Sequence, residues 1–154
     1  MNLYIASDHA GFPLKEAVLI TLKDKYEHLS IIDVGAQELV EGDNYPEYMA
    51  NAARSVSEDA EKNPSFAVLF GGSGQGEAIV ANRFRHVRAI VYAGGNLELV
   101  RLGRDHNDAN ILSIGARFVE ADDALKAIDL FLNTPFSHHE RHAERVVQIE
   151  EVCK

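Results

Sequence analysis

FAVLFGGSGQGEAIVANRF (66–84) decides the architecture. Residues 66–70 form a short apolar run of the kind that is buried on both faces in a parallel sheet. Four glycines within six positions (71–76) end the run, and AIVANRF (78–84), opened by Glu77, reads as a short helix. A strand that turns through glycines into a helix is one step of an alternating α/β chain.

The same alternation continues in both directions. NLYIAS (2–7), SIIDVG (30–35), VRAIVY (87–92) and NILSIG (110–115) read as further strands. PLKEAVLITLKDKY (13–26), EYMANAARSVSED (47–59), LELVRLGR (97–104) and ADDALKAIDLFLNT (121–134) read as helices, with Pro13 suited to a first turn and Pro135 just past a last one. One more helix is expected from His139 onward, carrying Val146, Val147 and Ile149. The pattern predicts an α/β fold, a Rossmann-like three-layer sandwich with a five-stranded parallel sheet and an extra C-terminal helix. No linker or repeat interrupts it, so residues 1–154 are expected to form a single domain, with 137–154 as its C-terminal helix and tail. Ligands in such sheets bind beyond the carboxyl ends of the strands. SDHAG (7–11), GDNYPEY (42–48), GGSGQGE (71–77) and RDHNDAN (104–110) are expected at those ends.

Composition narrows the function. A net charge of −9 argues against a nucleic-acid surface, which needs a basic face. No apolar run reaches the ~20 residues of a membrane span, and the N-terminal residues lack the features of a signal peptide, so a cytoplasmic location is expected. Cys153, the only cysteine, excludes a disulfide framework. Arginines and histidines concentrate in RFRHVR (83–88), at Arg101, Arg104 and Arg117, and in HHERHAER (138–145), which points to recognition of a small anion.

Tight glycine turns aim successive N–H groups inward, making a donor cradle at a helix start. A nucleotide P-loop would continue with Lys-Ser/Thr, where Glu77-Ala78 stands; Gly72-x-Gly74-x-x-Glu77 lacks the third glycine of a dinucleotide fingerprint. The turn is therefore either structural or an oxyanion site. Glu77 is correspondingly either a helix-dipole partner or a general base facing that site. Asp8 either caps the following helix or, with His9, faces the crevice. His106 and Asn107 precede the fifth strand. Asp8, His9 and His106 could be grouped as metal ligands, but no ligand spacing supports this, and SHHERH (137–142) reads as a surface histidine run; no metal or cofactor is expected. Arg141 and Arg145, four apart, share a helical face, which suits a phosphate fork or a solvated basic face.

SDHAGFPLKE, NYPEY, GGSGQGEAIVANR, HNDANILSIGAR and RHAERV resemble, in order and over nearly the whole chain, the motifs of the B-type ribose-5-phosphate isomerases and their galactose-6-phosphate isomerase relatives. The resemblance implies metal-independent aldose–ketose isomerisation through an enediolate. It also implies a homodimer or higher assembly with active sites at the subunit interface. By position, His106 resembles the ring-opening histidine and Asn107 its neighbour at the sugar. Asp8 matches the acidic residue at the sugar oxygens, and His9 its partner toward the substrate. Arg141 and Arg145 match the phosphate pair, and Arg117 an arginine that a partner subunit can contribute. Ser73 takes the place of the hydroxyl residue in the glycine loop, whose Gly72, Gly74 and Gly76 would contact substrate, and Tyr45 that of the loop tyrosine. Many members carry a cysteine base where Gly71 stands here; a second branch has glycine there and uses the glutamate after the loop, matched by Glu77. Asn44 departs from the frequent DYP. The expected substrate is ribose 5-phosphate, with hexose 6-phosphates and tetrose phosphates fitting the same chemistry, and a non-catalytic sugar-phosphate-binding module as the alternative class.

Overall fold

Five parallel strands, β1 (Asn2–Ser7), β2 (Ser30–Asp33), β3 (Phe66–Gly71), β4 (Ala89–Tyr92) and β5 (Ile111–Gly115), lie in the order β2-β1-β3-β5-β4 in the computed structural model, which describes residues 1–153. Successive strand side chains point to opposite faces, and both faces are covered. Leu3, Ile5, Val68 and Phe70 pack with α1 (Phe12–Lys25), α4 (Glu98–Asn107) and α5 (Ala121–Asn133), whereas Tyr4, Ala6, Ala67 and Leu69 pack with α2 (Tyr45–Asp59) and α3 (Gln75–Ala81). That double burial is why the strands read as unbroken apolar runs. The expected three-layer sandwich is present, and α6 (Glu140–Val152) is the extra helix, packed on α4. Among the described residues no helix is long and apolar enough to cross a membrane.

Several boundaries differ from the sequence reading. The helix after the glycine turn begins at Gln75, which puts Glu77 inside its first turn. The fourth helix runs three residues further than LELVRLGR, to Asn107. Arg101 bridges Glu98 and Asp105 within that helix, and Arg104 reaches Asp108, so polar residues that look like a loop are held helical by pairs three and four apart. Asp108 ends the helix in the left-handed conformation (φ 46°), its N–H bonded to the Arg104 carbonyl at 3.1 Å.

This corrects the expected position of RDHNDAN. A helix that returns to the start of a parallel strand runs antiparallel to it, so its last turn lies at the amino edge of the sheet. Asn110 confirms the edge: its carbonyl accepts the Ala67 N–H at the start of β3 (3.0 Å), and its N–H donates to the Arg88 carbonyl just before β4 (3.0 Å). His106 and Asn107 therefore sit at the opposite end of the sheet from SDHAG and the glycine loop.

The β1–α1 turn is clamped from below. Lys15 is fully buried, and its Nζ donates to Asp33 Oδ2 at 2.5 Å and to the Ala36 carbonyl at 2.9 Å, tying α1 to the segment after β2. Lys15→Met would leave the Asp33 carboxylate without its cation. A loss of about 3 kcal/mol in unfolding free energy is expected from the denaturant midpoint at unchanged slope.

Candidate active site

The strand order reverses between β1 and β3, and the crevice there holds a cavity of about 430 Å³. Asp8 and His9 enter it from the end of β1, Gly72, Ser73, Gly76 and Glu77 from the glycine loop and first turn of α3, Tyr45 from α2, and Arg117 with Phe118 from the turn after β5.

The loop owes its shape to two of its glycines. Gly74 adopts a left-handed conformation (φ 79°), and a Cβ there would stand 3.1 Å from the Gly115 nitrogen. Gly71 is required for a different reason, because a Cβ at 71 would fall on the Glu77 carboxylate. The loop carbonyls are occupied: Gly71 O by Ala116 N–H, Gly72 O by Arg117 N–H, and Gly74 O by Ala78 N–H and the Ser113 hydroxyl. Ser73 is exposed at the cavity, its Oγ accepting the Gln75 N–H at 3.3 Å.

Glu77 is 4% exposed, and its Oε2 is buried without a hydrogen-bond partner among the described residues. Burial pushes its carboxyl above the usual carboxylate range and the neighbouring Asp8 adds to the rise, against lowering by its own and the Gly74 backbone groups. A buried, under-bonded carboxylate is poised to take a proton rather than to pair with a cation. A side chain at 71 and the Glu77 carboxylate would fill the same space.

Asp8 Oδ1 accepts the Gly11 N–H at 3.0 Å, which fixes the turn before α1; Gly11 is the N-cap and α1 has no side-chain cap, so Asp8 does not cap the helix, and its side chain lines the cavity. His9 is held by a residue that the sequence reading missed. Asp43 Oδ1 accepts both the His9 backbone N–H (2.9 Å) and its ring Nδ1–H (2.7 Å); a carboxylate only accepts, so the ring proton is on Nδ1 and Nε2 is left for a ligand. Asp43 lies one residue before Asn44, in the loop that leads into α2. The ligand atoms of Asp8, His9 and Asp43 lie within 4.8 Å of one another, but the Oδ1 atoms of both carboxylates and Nδ1 are already used in these bonds.

The remaining expected residues form a second group. His106, on the last turn of α4, stacks on His142 of α6 with ring centroids 4.2 Å apart. Arg141 and Arg145 are exposed on α6, and Asn107 is exposed at the end of α4. Glu150 fixes the far end of α6 by accepting from Arg88 at 3.1 Å and from the His86 N–H at 3.3 Å. Within one chain, then, Asp8, His9, Tyr45, the loop, Glu77 and Arg117 are brought together. His106, Asn107, Arg141 and Arg145 are gathered elsewhere, at the amino edge.

A sequence profile described as Ribose/Galactose Isomerase matches residues 3–149. The chain is 35% identical over 146 residues to the ribose-5-phosphate isomerase B of Mycolicibacterium paratuberculosis, covering 95% of this chain and 87% of that protein. Its structure is similar to that of Clostridium thermocellum ribose-5-phosphate isomerase B, with a TM-score of 0.88, 36% identity, and coverage of 99% of this chain and 97% of the other. It is also similar to the Mycoplasma genitalium ribose-5-phosphate isomerase B crystallised with bound ribulose 5-phosphate, with a TM-score of 0.89, 30% identity, and coverage of 98% and 95%.

Proposed function

The chain belongs to the ribose/galactose isomerase family, and from that premise we propose that it interconverts ribose 5-phosphate and ribulose 5-phosphate through an enediolate, with Glu77 as the base. The observation that carries this reading is the buried Glu77 carboxylate, with an unpartnered oxygen, beside a glycine turn. In the aldose-to-ketose direction, His106 handles the proton at the ring oxygen as the sugar opens, and Asp8 orients the sugar hydroxyls. Glu77 takes the C2 proton, and the C–H electron pair becomes the C1–C2 double bond as charge moves to O1. Ser73 and the loop N–H groups stabilise that oxyanion. Glu77-H then returns the proton to C1 while the O2 proton passes to O1 and the C2–O2 bond becomes the carbonyl, which yields the ketose with no net oxidation. Arg141, Arg145 and Arg117 hold the phosphate, and His9 Nε2 and Asn107 complete the contacts.

The separation of the two residue groups supports a site shared between two copies of the chain, one lending the glycine-loop half and the other the α4–α6 half. Mixing Glu77→Gln and Arg141→Ala proteins, each nearly inactive alone, tests this. In a two-fold dimer each mixed pair regains one intact site, so subunit exchange should restore about a quarter of wild-type activity. No recovery after exchange would mean that each site is built within one chain.

The first assay is interconversion of ribose 5-phosphate and ribulose 5-phosphate by chelator-treated protein. Turnover is expected. Its absence would move the assay to four- and six-carbon sugar phosphates, and binding without turnover of any of them would favour a non-catalytic module.

A further inference from the structure

The histidines of the run 137–142 have no part in the chemistry above, yet one of them is the buried residue of α6. His142 is 6% exposed, whereas its neighbours His138, His139 and Arg141 are exposed. Its ring is fixed from both ends. Nδ1 lies 2.9 Å from Ser137 Oγ, and Nε2 lies 3.4 Å from Arg141 Nη2. A guanidinium only donates, so Nε2 carries the lone pair and the proton on Nδ1 is given to Ser137. Ser137 is in turn anchored to α4 by its N–H on the Asp105 carbonyl at 3.0 Å. Burial, followed by the charges of His106 and Arg141, lowers the His142 pKa.

Against this fixed ring stands a freer one. The His106 side chain is 40% exposed on the last turn of a helix, with the Asp105 carboxylate 3.7 Å from its Nε2. The His142 ring lies against it, with ring centroids 4.2 Å apart and planes tilted by 40°. We propose that His142 is a positioning residue for His106, its ring face holding the His106 imidazole for proton transfer at the sugar ring oxygen, and that it does not serve the later C–H step. This rests on the isomerase reading, and it assigns the two steps to separate structural supports: His142 to ring opening, the glycine loop to enolisation. Misplacing a reacting group by about 1 Å can cost on the order of 100-fold in rate.

The two steps can be read separately. Ribulose 5-phosphate has no free C5 hydroxyl with which to close a furanose ring, so exchange of its C1 proton with deuterated solvent needs the base but no ring opening. His142→Phe keeps a flat ring and His142→Leu keeps bulk without one; both lose the Ser137 bond, so similar melting temperatures control for stability. In the leucine variant, aldose-to-ketose turnover is expected to fall at least about tenfold with KM little changed. The phenylalanine variant should stay within about threefold of wild type. Deuterium exchange into the ketose should survive in both. Equal turnover in the two variants, or exchange that falls in step with turnover, overturns the proposal. A wild-type protein that neither isomerises nor exchanges would overturn the isomerase reading itself, and this inference with it.

Discussion

Glu77→Gln should lower turnover by about 1,000-fold, within the range for removal of a positioned general base, while leaving the fold at least as stable as before. The two halves of this result have one cause. The carboxylate is buried with an unpartnered oxygen, and its pKa is raised mainly by that burial. A group whose folded pKa lies above its unfolded value adds stability when protonated and loses that contribution as pH rises through the folded pKa. At neutral pH the ionised form is thus a burden on the fold, and a neutral amide of the same shape relieves it. Thermal melting at pH 7 should give a midpoint equal to or above that of wild type. The same shift has a kinetic sign: kcat/KM should fall as pH drops through the raised Glu77 pKa, so the acid limb lies above the usual carboxylate range. Wild-type turnover in the glutamine variant would remove Glu77 from the chemistry.

Gly71→Ala should be nearly as damaging, although alanine adds a single carbon. That carbon would occupy the place of the Glu77 carboxylate, which is already enclosed. Relief requires the Glu77 side chain to swing out or the α3 first turn to shift, and either misplaces the base. A loss on the order of 100-fold in kcat is expected, with about 1–3 kcal/mol of overpacking cost to stability. Because the alanine acts through Glu77, adding Glu77→Gln should reduce activity little beyond the glutamine variant alone. Full multiplication of the two losses would show that Gly71 has a role of its own.

What could be read from sequence followed the range of the interactions involved. The run 66–70, the glycine turn and Glu77 are contiguous, so their unit was legible, and the strand–helix alternation carried the fold class. The order β2-β1-β3-β5-β4 is a matter of which strands pair across long separations, and no local pattern encodes it. RDHNDAN reads toward the wrong edge because polar residues 104–107 look like a loop; their helix depends on Arg101 bridging Glu98 and Asp105. A closer signal was available, since a segment leading into a parallel strand must approach its amino end. Asp43 was missed because it meets His9 across 34 residues. His142 hid in a polar run whose one buried member is visible only once α6 lies on α4.

The volume shared by Gly71 and the Glu77 carboxylate also bears on oxidative damage. A thiolate base is open to peroxide, which carries it through sulfenic to sulfinic acid, whereas a carboxylate has no such chemistry. By keeping position 71 free of any side chain, this chain excludes a sulfur atom from the crevice, and its single cysteine, Cys153, is exposed just beyond the end of α6. The residues that line the crevice around Glu77 offer oxidants no sulfur to attack.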